Sequence, residues 1–458
     1  MTMHLPPGPE RLPLVGNILQ FRRDPLSFVT GLHRSFGRAA TFHMANVPIV
    51  AFFRPEAVRY FLVDHARNFT NGEFAAELRP LLGDGLLTTD GAVHRRQRRM
   101  VQPAFHKKRV DGYAQTMVTQ TRALLEEWQP GAVVDMAREM QRLTLRIVAR
   151  ALFDVDLRSE GADLGDYFTT LAKNPVGRTY SLNALPLDLP FTPYGRAMRA
   201  RAALDRWVYD LIARRRRDGR DTGDVVSMLL DARDDAGGMT DTEIRDQSMT
   251  LLAAGHETTA NTLSWTLYLL ARHPQIRERL LVELRDVLGA REATVADLPA
   301  LPYLDQVVKE AMRLYPPAWT QGRRAIEPFE LEGYSLPAGQ LVLFSQWVIH
   351  RLVDVWGDPA VFRPERFAPE AERGLPPGAY FPFGGGPRMC IGMPFANLEA
   401  RLVLATLLPR YAPNLMAGHE VVPQPRITLR MRDGLPMTLD RACAPRRTWP
   451  GAPAAAHS

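Results

Sequence analysis

The chain is short of cysteine, of long apolar runs and of concentrated charge, and each shortage removes a class of protein. Cys390 and Cys443 are the only thiols among 458 residues, too few for a disulfide framework or for the ligands of an iron–sulfur cluster. A reducing compartment suits such a chain. The opening stretch, MTMHLPPGPERLPLVGN, holds no apolar run near the length of a signal peptide or a spanning helix. A soluble, cytoplasmic protein without a transmembrane segment is therefore expected. Lys plus Arg number 57 against 50 for Asp plus Glu, a net charge of +7. The arginines are scattered rather than gathered into a stripe, which argues against a nucleic-acid partner. Their densest run, Arg214–Arg217, ends a helical pattern and reads as a solvated helix terminus in favourable dipole placement.

Helical periodicity is abundant. It runs through Asp24–Phe36, Val110–Trp128, Met136–Phe153, Leu164–Asn174 and Tyr194–Arg217. Strand character is confined to Ala39–Met44 and Val47–Phe53 around an Ala45-Asn46 turn, to Phe329–Leu336 and Leu341–Phe344, and to an alternating tail, Val421–Leu439. Asn68–Asp90 reads as a loop, yet it carries Phe69, Phe74, Leu78, Leu81, Leu82, Leu86 and Leu87 and must bury them against something. Length alone suggests two or three domains. From Cys443 onward the Ala/Pro/Arg composition argues disorder.

The longest helical pattern opens at Thr240, a candidate N-cap with Glu243 as its capping-box partner, and continues to about Arg272. Its middle reads Ala253-Ala254-Gly255-His256-Glu257-Thr258-Thr259. Gly255 weakens a helix interior, and Glu257 and Thr258 place polar groups where the apolar flanks predict burial. A threonine bond to the carbonyl one turn back would make this a plain kink.

Residues 380–400 read YFPFGGGPRMCIGMPFANLEA. Three glycines between Phe383 and Arg388 suit a loop passing close to a flat object. One thiol, Cys390, ends that loop just before an apolar helix, whose N-terminal N–H groups can hold a thiolate. The arrangement Phe-x-x-Gly-x-x-x-Cys-x-Gly resembles the haem-ligand signature of the cytochrome P450 monooxygenases. Three further motifs follow the same resemblance in the same order: His94 with Arg98, the Ala-Gly-x-Glu-Thr stretch, and Glu310-x-x-Arg313 with Arg366 of Phe362–Phe367 (FRPERF).

The resemblance implies one mainly α unit with a smaller β-rich part, the cytochrome P450 fold, over residues 1–440, with 441–458 as a tail. It implies haem b held by the Cys390 thiolate, with Phe383, Gly392 and Ala396 packed about it. His94, Arg98 and Arg388 would meet the propionates. Arg323 or Arg324 could do so by position, and Arg324 is taken as the candidate. Ala254 and Gly255 would leave room for dioxygen, and Glu257 and Thr258 would manage its protons. Glu310, Arg313 and Arg366 would form a structural ion network. Phe74, Leu78, Leu81, Leu82, Ala318, Trp319 and Leu435, the last on a turn at Gly434–Met437, would line the substrate pocket, and Thr179–Pro193 would be its lid. The implied activity is insertion of one atom of dioxygen into an apolar terpenoid, carotenoid or fatty acyl substrate by a monomer. Electrons would come from NAD(P)H through a separate ferredoxin or flavodoxin and its reductase. A peroxide-driven peroxygenase and a non-catalytic haem sensor are the alternatives, and the Glu257-Thr258 pair argues against both.

Overall fold

In the computed structural model, which describes residues 4–160, 164–173, 188–189, 191–219, 223–235 and 237–442, everything packs around one helix, Asp241–Arg272. Its start is set by the expected reciprocal cap: Glu243 N–H donates to Thr240 Oγ1 (3.2 Å) and Thr240 N–H to Glu243 Oε2 (2.8 Å). Its 32 residues span about 48 Å at the usual rise per residue. Ile244–Leu252 and Thr259–Leu270 are buried on all sides, because helices Met136–Phe153, Pro193–Asp218, Pro302–Leu314 and Met393–Leu407 surround them. At Gly255 the approach is close: a Cβ there would lie 3.2 Å from Val148 Cγ2.

The β-rich part is a five-stranded sheet. In chain order its strands are β1 (Ala39–Met44), β2 (Val47–Phe52), β3 (Phe69–Thr70), β4 (Gln321–Ala325) and β5 (Leu341–Phe344), arranged β1-β2-β5-β4-β3. Only β2 and β5 run parallel. Both faces are covered, and strand alternation sorts the side chains between them. Val50, Phe52, Val342 and Phe344 enter one apolar cluster, while Ile49, Ala51, Leu341 and Leu343 enter the other.

Most expected elements form, with physical reasons where they differ. The pattern Val110–Trp128 is split into Lys107–Gly112 and Ala114–Glu127, because Tyr113 N–H bonds to the carbonyl three residues back at Val110. Asn68–Asp90 is not a plain loop: it holds short helices at Gly72–Ala76 and Arg79–Leu82. It is pinned to the central helix by Asp84 N–H on Asp246 Oδ2 (2.7 Å) and Leu86 N–H on Gln247 Oε1 (3.0 Å). The Arg214–Arg217 run does end a helix, at Gly219, but it is not simply solvated. Arg215 Nε pairs with buried Asp224 at 2.6 Å, and Arg216 pairs with Asp241. The expected lid lies mainly outside the described residues, as do Cys443 and the tail. No helix among the described residues is long and apolar enough to cross a membrane.

Behind the sheet, Arg313 and Glu310 are wholly buried and paired twice, at 2.7 and 2.8 Å. Arg366 Nε approaches Glu310 Oε1 at 3.4 Å. Carbonyls of His350, Pro359 and Val361 take the remaining Arg313 N–H groups, so the buried charges are satisfied.

Candidate active site

The Cys390 loop is shaped by its glycines and fastened to both lobes. Gly386 has φ +60°, and a Cβ there would fall 1.7 Å from the Leu62 carbonyl oxygen, so no other residue fits. Phe381 N–H donates to His350 Nε2 (3.1 Å), and Cys390 N–H donates to the Phe383 carbonyl (2.9 Å). Helix Met393–Leu407 follows directly, with the Ala396 N–H bonded to the Gly392 carbonyl. Protein crowds the thiol from behind, and burial pushes its pKa up. The N–H groups of Gly392 and Met393 and the charge of Arg98 oppose that shift. Even so, the Cys390 side chain is exposed to open space on its other side.

Beside the thiol lies an excess of positive charge. Arg98 Nη1 donates to the Met389 carbonyl (2.9 Å). Arg388 Nη2 is 2.8 Å from Asp90 Oδ1 and also meets the Thr89 carbonyl. Arg323, only 9% exposed, donates to the carbonyl of Gly322 (2.7 Å) and to Gln321 Oε1 (3.4 Å), and has no carboxylate in salt-bridge range among the described residues. Burial first, and then Arg388, lower its pKa to about 10. His94 is buried against Arg388, Arg98 and Arg95, which together with desolvation hold it at about 4, neutral near pH 7. Arg98, Arg323 and Arg388 thus face a single carboxylate, Asp90. Arg324, the sequence candidate, is absent from the group. Strand alternation turns it to the opposite face of β4, where it pairs with Glu73.

In its middle the central helix is less buried than elsewhere. Ala254 is exposed, and Ala253, Gly255, Glu257 and Thr258 are half-buried, between flanks that are fully buried. Thr258 Oγ1 donates to the Ala254 carbonyl (2.7 Å), which is the kink-type bond that the residues alone allow. With its proton used there, the hydroxyl presents lone pairs elsewhere. Glu257 does not hang free. Its Oε1 accepts from Arg430 Nε (2.6 Å) and from the Thr428 hydroxyl. Burial alone would raise the Glu257 pKa, but these two partners and His256 bring it below the usual carboxylate range. Glu399, on the helix after Cys390, is fully buried without a counter-ion among the described residues, and only the Thr259 hydroxyl lies near enough to offset that burial. Burial holds its pKa well above the usual range, so it is protonated.

The proposed pocket residues scatter. Trp319 is buried in the sheet-side cluster with Phe21 and Phe42, its indole N–H bonded to the Arg426 carbonyl (2.9 Å), so it is core. Leu435 is fully buried in the helical core beside Asp135, which accepts its N–H (2.8 Å). The turn at 426–428 reaches the central helix in its place. Phe74 covers Gly322, and Leu82 is buried. Leu78, Leu81 and Ala318 remain half-buried. Asp90, Thr428, Arg430 and Glu399 were not found from the sequence, and Arg323 was named only as the alternative to Arg324. Their partners lie far along the chain, and no local spacing marks them.

This donor set fits haem. A lone exposed thiol can take an iron, and three arginines that share one carboxylate match the two propionates.

The family model described as Cytochrome P450 matches residues 6–443. "Cyclooctatin synthase" of Streptomyces melanosporofaciens is 38% identical, over 92% of this chain and 93% of its own. "Pentalenene oxygenase" of Streptomyces avermitilis is 34% identical, over 91% and 93%. The solved structure titled "Retinoic acid bound cyanobacterial CYP120A1" superposes with a TM-score of 0.88 at 31% identity, covering 96% of this chain and all of that one. With the mainly helical fold, the thiol loop and these likenesses in agreement, the chain belongs to the cytochrome P450 family, as a monooxygenase.

Proposed function

We propose that this monooxygenase binds haem b through Cys390 and oxidises an apolar, terpenoid-type substrate. Such haem, when bound, supplies the activation of dioxygen that a thiolate favours. The chain's own residues do the rest. The N–H groups of Gly392 and Met393 hold the sulfur, and Arg98, Arg323 and Arg388 take the propionates with neutral His94 beside them. Ala254 leaves space, Thr258 offers its oxygen to that space, and Glu257 carries protons inward. The relatives whose names carry cyclooctatin and pentalenene support a terpenoid-type substrate over a fatty acyl chain. Electrons come from separate redox proteins, an acidic ferredoxin or flavodoxin meeting the exposed Arg95, Arg99 and Lys108.

The observation that carries this reading is the exposed Cys390 thiol beside three arginines that share a single carboxylate, Asp90, among the described residues. Haem-loaded protein, reduced under carbon monoxide, should give the red-shifted absorption of a thiolate-ligated haem, and Cys390→Ser should abolish it while haem stays bound. Absence of that band in the unmodified protein overturns the ligand assignment. Titration with cyclic terpenes and with fatty acids, read as a haem spin-state change, decides the substrate class.

A further inference from the structure

The carboxylate expected to carry protons is held by a hairpin far along the chain. The hairpin pairs Pro423–Pro425 with Leu429–Met431, and it is seated by two buried bonds. Trp265 Nε1 donates to the Leu429 carbonyl (3.0 Å), and Leu429 N–H donates to the Pro317 carbonyl (2.9 Å). From this fixed base Thr428 and Arg430 reach Glu257. Both contacts fall on one oxygen, Oε1. Oε2 has no partner among the described residues.

Thr428 is itself oriented. Asn261, one turn beyond Glu257 on the same helix face, donates from Nδ2 to Thr428 Oγ1 (3.0 Å). That hydroxyl therefore accepts from Asn261 and must donate to Glu257. Arg430 adds a charge-assisted bond from a rigid guanidinium that cannot lose its proton. The Arg430 and Glu257 side chains are each 16% exposed, so solvent only partly screens the pair.

We propose that Arg430 is the positioning residue of proton delivery, clamping Glu257 by Oε1 with Thr428 so that Oε2 alone exchanges protons. Each transfer is balanced at that atom: the carboxylate takes a solvent proton on Oε2, passes it inward and returns to the ionised form, while Oε1 never leaves Arg430. Two titratable groups face Glu257: Arg430 across the contact and His256 on its own helix. His256 is buried, its Nδ1 lies 2.7 Å from the Leu252 carbonyl, and burial lowers its pKa, so it is neutral near pH 7. Arg430 therefore governs where Glu257 titrates. The clamp also explains how a carboxylate in a buried helix stays ionised between deliveries.

This inference rests on the monooxygenase reading, and its test separates the two. Haem-loaded wild type, Arg430→Gln, Arg430→Lys and Glu257→Gln are compared with a surrogate reductase and NADPH. The readout is the fraction of NADPH electrons reaching organic product rather than hydrogen peroxide, measured from pH 5 to 9. Arg430→Gln should lower that fraction several-fold and move its acid limb up by about one pH unit or more. Arg430→Lys should restore the limb more fully than the fraction, since an ammonium replaces the charge but not the fork. A double-mutant cycle on urea unfolding of Glu257→Gln and Arg430→Gln gives a second readout, and it should show a non-zero coupling between the two sites. Unchanged partition and pH limb in a folded Arg430→Gln enzyme overturn the positioning role, as does a null coupling. Failure of wild type to oxygenate any apolar probe overturns the monooxygenase reading instead.

Discussion

Arg98 donates a hydrogen bond to the carbonyl of Met389, the residue immediately before Cys390. A helix on one lobe thereby fixes the backbone of the thiol loop and brings a cation into the field of the sulfur. The consequence is electrostatic. Burial pushes the Cys390 thiol above its ordinary 9.0, and Arg98 pulls it back. In haem-free Cys443→Ser protein, iodoacetamide should react slowly at pH 7, with a rate that climbs only above pH 9. Arg98→Ala should move that midpoint further up. Mass spectrometry of the labelled peptide across pH measures both, and an unmoved midpoint would take Arg98 out of the thiolate's surroundings.

Arg323 and Arg324 are neighbours in sequence and opposites in space. Arg323 sits beside Arg388 with no carboxylate of its own among the described residues, whereas Arg324 is tied to Glu73 on the other face of its strand. Arg323→Gln should therefore speed loss of haem to excess apomyoglobin by about tenfold or more, the scale of one charge-assisted hydrogen bond. Arg324→Gln should leave the rate close to wild type, since an exposed ion pair contributes little. Equal effects from both substitutions would contradict the assignment.

What could be read in advance depended on range along the chain. The Thr240/Glu243 cap and the Ala45-Asn46 turn are decided by residues within a few positions of each other, and both formed as expected. The Cys390 loop was legible because its chemistry needs glycines, an arginine and a thiol in one short stretch. Arg323 and Arg324 both stood open by position, because nothing local says which of two adjacent strand residues turns inward. Glu257 stood out in the sequence as a polar residue in an apolar helix, but its contact with Arg430 did not, since Arg430 is 173 residues away. Trp319 and Leu435 looked like pocket residues for the reason that also makes them core: large apolar side chains do not announce which cavity they fill.

Glu310 and Arg313 are wholly buried, and each exhausts the other's strongest hydrogen bonds. Removing Glu310 leaves Arg313 buried with no counter-ion among the described residues. Glu310→Ala should lower unfolding stability by about 3–5 kcal/mol, read as a shift in urea midpoint at unchanged slope. Glu310→Ala combined with Arg313→Leu should recover part of the loss, because the stranded charge goes too. A double variant less stable than the Glu310→Ala protein would mean that Arg313 matters mainly through the carbonyls of His350, Pro359 and Val361.

Glu399 presents the reverse case: a buried carboxyl with no counter-charge, neutral in the folded protein. Its folded pKa lies well above the unfolded value near 4.5. Below pH 4.5 the carboxyl is protonated in both states and costs nothing electrostatic. As pH rises through the interval up to the folded pKa, the unfolded chain ionises and the folded one does not. Stability is then lost at up to about 1.4 kcal/mol per pH unit. Gln keeps the shape and the neutrality without that penalty. Glu399→Gln should match wild type in urea unfolding at pH 4.5 and exceed it progressively at pH 6 and pH 8. A difference that does not grow with pH would show that Glu399 ionises in the folded state, and would require a cation or an ordered donor beside it.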